Sequence, residues 1–166
     1  MTSDNTGEDA RPAGIGRALA TGMLGGAIAT TAMSAFMYGA QNLGLLGEMP
    51  PKKITRAAAR AVGIFGTSRF AEDAAAVVAH WGFGMVMGAA YGFLYRRKHG
   101  VLRAALSGAA FGSAVWAGSY AGWVPALRIM SLPHRDRAFR PTSMAIAHLL
   151  YGGTLGTFVN RSNPSS

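Results

Sequence analysis

The chain contains no cysteine. Disulfide frameworks, thiolate nucleophiles and thiolate metal sites are therefore excluded, and the redox compartment is left open. Carboxylates are also scarce: 7 Asp and Glu stand against 16 Lys and Arg, a net charge of +9. Charged residues make up only 14% of the sequence, where an ordinary soluble domain carries roughly 25%. The usual motifs of nucleic-acid recognition are missing, so the basic balance points to anionic lipid rather than to DNA or RNA. There is no Gly-x-Ser-x-Gly elbow, and neither a catalytic nor a metal-binding constellation is legible.

The most informative absence is local. Four stretches contain no Asp, Glu, Lys or Arg: 18–47, 74–95, 104–127 and 141–160. Each reaches the roughly 20 residues that cross about 30 Å of hydrocarbon in a helix. Charges bracket every one of them, from Arg17 and Glu48 to Arg140 and Arg161. Four such runs in 166 residues leave too few amphipathic helices to cover a soluble core. The expected fold is all-α: a polytopic membrane protein with spans over about 18–43, 74–95, 104–127 and 141–160. Residues 1–14 read as a disordered polar tail and 162–166 as a short tail, around a transmembrane domain over 15–161. The acidic start and the long first apolar run predict no cleaved signal peptide.

Against these absences stands an abundance of glycine, 23 residues, a poor helix former in water but useful where membrane helices pack closely. Gly22 and Gly26, Gly84, Gly88 and Gly92, Gly108 and Gly112, and Gly152 and Gly156 recur at four-residue spacing, which aligns each set on one helix face. The second and fourth stretches share a longer pattern. Ala79-His80-x-x-Phe83-Gly84-x-x-x-Gly88 matches Ala147-His148-x-x-Tyr151-Gly152-x-x-x-Gly156. The chain thus reads as a two-helix unit used twice, the two repeats parallel about an axis along the membrane normal.

The connection after the first stretch carries its own helix signal. Pro50-Pro51 opens it, and Lys52, Arg56 and Arg60 recur opposite Ile54, Ala58, Ala61 and Phe65. A short basic amphipathic helix is expected, either lying on the membrane surface or serving as a solvated connector. Lys52, Lys53, Arg56 and Arg60 here, with Arg96, Arg97 and Lys98 in the second connection, are the expected contacts to anionic lipid headgroups. Lys and Arg number nine on the side of the first and third connections and seven on the other. That balance does not orient the protein by itself. The dense cluster from Arg96 to Arg103 favours termini in the cytoplasm. His134-Arg135-Asp136-Arg137 reads as a solvated loop, or as a clamp for a lipid phosphate.

His80 and His148 are the candidate intramembrane polar site, with Tyr151, Trp116 and Tyr120. The repeat puts both histidines about seven residues into their spans, roughly 10 Å from the entry at 1.5 Å per residue. Their plainest role is hydrogen bonding between helices. Two alternatives remain: a small proton or solute channel, or a haem- or metal-binding module, with haem the cofactor such a pair would suit.

His80-Trp81-Gly82-Phe83-Gly84, Tyr91-Gly92 and His148-x-x-Tyr151-Gly152, with Trp116, Ser119-Tyr120 and Pro125-Ala126-Leu127, resemble small bacterial membrane proteins of the YagU type. The resemblance implies a multipass protein of the bacterial inner membrane with no assigned reaction. The function expected is that of a non-enzymatic envelope accessory or stress-related protein. Its partners would be the bilayer and either a second copy of itself or another membrane protein.

Overall fold

The computed structural model describes residues 14–46, 50–61, 63–64, 68–136 and 138–163. Of the tails expected over 1–14 and 162–166, residues 1–13 and 164–166 lie outside these residues, as does Phe65, while Ser162 belongs to the last helix. The described chain is helical, with no strand among the described residues: α1 (Ile15–Asn42), α2 (Pro50–Ala61), α3 (Arg69–Leu94), α4 (Val101–Gly118), α5 (Val124–Ala126) and α6 (Arg140–Ser162).

Local chemistry explains where the helices begin and end. The φ of Gly44 is +75°, and the N–H groups of Gly44 and Leu45 donate to Gln41 and Ala40, each at 2.9 Å. This is the left-handed glycine cap that satisfies the last carbonyls of α1. Ser68 caps α3, its hydroxyl accepting from the Ala71 N–H at 3.2 Å, with Glu72 in the first turn beside the positive helix end. The stretch 104–127, expected as one continuous span, is interrupted. After Gly118 the chain makes a π-turn over Ser119–Trp123, and Gly122 leaves helical geometry (φ −105°, ψ −106°). Pro125 accounts for the break, since it has no N–H and its ring crowds the carbonyl four residues back.

The long helices form two antiparallel pairs, and glycine makes each pair close. In α1/α3, a methyl group on Gly22 would overlap the Gly88 carbonyl, one on Gly26 the Gly84 carbonyl, and one on Gly92 the Ala18 carbonyl. In α4/α6, the same holds for Gly108 against Gly152, Gly112 against His148 and Gly156 against Ala104. Backbone rests on backbone in both pairs. Contact between α1 and α6 joins them, with Gly25 of α1 seated against Leu155 and Phe158. The direct contact between α3 and α4 is slight, carried by Tyr91, which meets Ser107 at 2.8 Å and the Phe111 ring edge-on.

The resulting molecule has two unlike ends. At the terminal end, Asn160 Oδ1 accepts the His99 N–H at 2.7 Å and Asn163 Nδ2 donates to the Tyr95 carbonyl at 3.0 Å. At the other end α2 lies against α3, with Lys52 paired to Asp73 at 2.7 Å and Arg56 to Glu72 at 3.0 Å.

The outward faces of the long helices carry large apolar side chains, while the inward faces combine small residues with large ones such as Met37, Tyr91, Tyr151 and Leu155. Gly22, Gly26, Ala29 and Thr30 are buried, whereas Leu24, Ile28, Val78, Val86, Leu94 and Leu106 are exposed. By length and composition α1 and α3 are able to cross a membrane, yet only 33% and 22% of their apolar stretches are buried. The core helix of a soluble protein would be mostly buried. Helix α4 is shortened to 18 residues by its π-turn, and α6 carries His148 and Asn160.

Candidate functional site: a half-open pocket between two histidines

The slight contact between α3 and α4, together with the π-turn, leaves a gap in the half of the molecule nearer α2. It is a cavity of about 250 Å³, near the lower end of ligand pockets, which run roughly 300–1,000 Å³. Met33 and Met37 come from α1, Met87 from α3, Met130 from the loop and Met144 from α6. Ile54 and Thr55 of α2 stand over the end. Phe83 and Trp123 line it from α3 and from the π-turn, and both are about 40% exposed, which puts them at the mouth.

His80 and His148 both line this cavity, as do Tyr120 and Tyr151. The register of the glycine contacts brings them there: each histidine sits one turn before the glycine (Gly84, Gly152) at which its helix meets its partner. The ring of His148 is anchored, its Nδ1 lying 2.8 Å from the Met144 carbonyl. A carbonyl only accepts, so Nδ1 carries the proton and Nε2 presents a lone pair. Tyr151 donates its hydroxyl to the Gly84 carbonyl at 2.6 Å, tying α6 to α3 across the interior. The Nε2 of His80 is enclosed without a hydrogen-bond partner.

Trp116, expected with this group, is not part of the lining. It packs near Tyr120, ring centroids 6.1 Å apart, and its Nε1 is enclosed without a partner. All nine glycines singled out by spacing sit at helix contacts. Of the basic residues expected at lipid headgroups, Lys52 and Arg56 are engaged by the carboxylates of α3. Arg96 lies over the Phe93 ring, 5.5 Å from its centroid, and Arg60, Arg97 and Lys98 are exposed while Lys53 is half-buried.

The 134–137 segment departs from both of its expected roles at Asp136. That carboxylate is nearly enclosed, 6% exposed, and Arg140 holds it at 2.8 Å. Tyr120 also donates to it, and Arg140 Nε donates to the Leu46 carbonyl at 2.7 Å. The i, i+4 spacing of Asp136 and Arg140 was the available signal, but nothing in it distinguishes a buried pair from an exposed one. Thr30 and Met33 also line the cavity and were not singled out by any motif.

Among the described residues, no group of three or more His, Asp or Glu side chains is arranged to hold a metal. No protein-family model, curated protein or solved structure matches this chain. The resemblance to YagU-type proteins therefore rests on the motifs that raised it.

Proposed function

We propose that this chain is a multipass membrane protein that binds a small lipid-soluble molecule and performs no chemistry on it. Helices α1, α3, α4 and α6 are its four spans, forming a bundle of two parallel two-helix repeats. The single observation that carries the reading is an apolar pocket with two imidazoles, set inside a molecule whose outer faces are apolar and exposed. In water such faces would drive aggregation; in a bilayer they are the solvated surface. The matched contact registers of α1/α3 and α4/α6 support the repeat.

A pocket, rather than a pore, is favoured by what lies beyond it. Toward the terminal end Tyr91, Leu155 and Val159 are each at most 2% exposed. The cavity at that end holds about 10 Å³, room for about one water. A closed metal site would need more ligands than two imidazoles supply. The α2 end carries more Lys and Arg in total, but the terminal end holds the densest short cluster, Arg96, Arg97, Lys98 and Arg103. That end suits the anionic cytoplasmic leaflet of a bacterial inner membrane.

The test uses the full chain in lipid nanodiscs and an environment-sensitive apolar fluorophore. Saturable binding at one site per chain is expected. Ala79→Trp, at an exposed position on the pocket wall, should abolish it. Release of the protein from membranes by an alkaline wash, or binding unaffected by Ala79→Trp, would refute the proposal.

A further inference from the structure

The hydrogen-bonding protons of the pocket wall are almost all engaged inside the protein. Thr30 donates to the Gly26 carbonyl at 2.7 Å, Thr55 to Pro51 at 2.9 Å and Ser119 to Val115 at 2.6 Å. Tyr151 donates to Gly84, Tyr120 to Asp136, and His148 through Nδ1 to Met144. Each hydroxyl has a single proton, so toward the cavity these groups offer only lone pairs. The strongest of these acceptors is Nε2 of His148.

Two lining side chains keep an N–H to consider. Trp123 stands at the exposed mouth. His80 has its Nε2 enclosed without a partner, where a proton would remain unsatisfied at a cost of about 1–3 kcal/mol; the tautomer protonated on Nδ1 is therefore preferred. The inner wall thus combines an excess of acceptors, led by one imidazole nitrogen, with at most one donor on the second imidazole. Among the described residues no carboxylate lines the cavity, so a cationic headgroup would find no countercharge among them.

From this we infer, building on the reading of the pocket as a ligand site, that its ligand is a neutral lipophilic molecule bearing a hydroxyl, an alcohol or a phenol. Its O–H donates to His148 Nε2, and its oxygen is free to accept from His80. A ketone or an ether of the same shape accepts only, and leaves the His148 lone pair buried and unmatched. The apolar body lies among the methionines and exits between Phe83 and Trp123, the side on which α3 and α4 stand apart.

The test compares a para-alkylphenol with its methyl ether of equal chain length. Both are titrated against the full chain in nanodiscs by displacement of the fluorophore, with correction for partition into protein-free nanodiscs. The phenol is expected to bind about tenfold more tightly, the scale of one hydrogen bond. In His148→Leu the preference should shrink to within about twofold while ether affinity is retained. Equal or tighter binding of the ether to the unaltered chain overturns the inference whatever the variant does, and so does tighter binding of an alkyl-trimethylammonium of the same length. If both probes bind, equally, and Ala79→Trp blocks both, the donor preference falls and the pocket reading survives. If neither binds, both fall together.

Discussion

The pairs α1/α3 and α4/α6 are packed alike inside and closed differently at the α2 end. Inside, each rests glycine on carbonyl at three successive turns. At the α2 end, α1 and α3 are linked through α2, whose salt bridges to Asp73 and Glu72 are between 30% and 52% exposed. The connection from α4 to α6 instead folds over Asp136 and Arg140, which are 6% and 7% exposed. An exposed pair keeps most of its hydration and contributes little, while a buried pair leaves a bare charge when either partner goes. The same kinds of residue thus act as a tether in one pair and as a lock in the other.

The sharpest way to break this comparison is to remove one carboxylate from each connection. Asp136→Ala should lower stability by about 3–5 kcal/mol, because Arg140 is left uncompensated. Asp73→Ala should cost less than about 1 kcal/mol. Thermal unfolding in mild detergent reads both, and similar values would mean that the two connections are held alike.

Glycine substitutions test the interior likeness at an intermediate scale. Gly88→Ala and Gly152→Ala each drive a methyl group into backbone, at an expected cost of about 1–3 kcal/mol. Gly82 and Gly153 have nothing within 4 Å of the added carbon, so alanine there should be neutral or should stabilise the helix by up to about 1 kcal/mol. Unequal costs at positions 88 and 152 would show that the pairs are not equivalent.

The smallest expected effect is at the matched aromatic positions. Tyr151→Phe removes the hydroxyl bonded to Gly84 and should cost about 0.5–1.5 kcal/mol. Phe83 occupies the same place in the histidine pattern but is 41% exposed, so Phe83→Tyr should leave the melting temperature unchanged. A large shift from Phe83→Tyr would place that ring inside the molecule.

Much of the helical organisation was legible because charge and apolarity are segregated along the chain. Pro50-Pro51 announced α2, and the four-residue glycine spacing marked the faces on which helices meet. The break after Gly118 was harder to read. Pro125 stood in the sequence, but whether a proline ends a helix or is absorbed by a π-turn depends on the neighbours that re-satisfy the freed carbonyls. The candidate site was half visible: His80 and His148 stood out as the polar residues of a repeated pattern. Thr30, Met33 and Met37 did not, since threonine and methionine in an apolar helix look the same whether they face a cavity, a neighbour or lipid.

By itself the sequence determined which segments are helical, which of their faces are narrow enough for backbone contact, and where charge is concentrated. Those properties follow from residue type and from the 3.6-residue period, and both are local. Only the tertiary structure decided that α1 pairs with α3 and α4 with α6, that the gap between α3 and α4 brings two histidines to one pocket, and that Asp136 is buried. Each of these depends on which helices touch and at what register, and a glycine face accepts any partner that can come close enough.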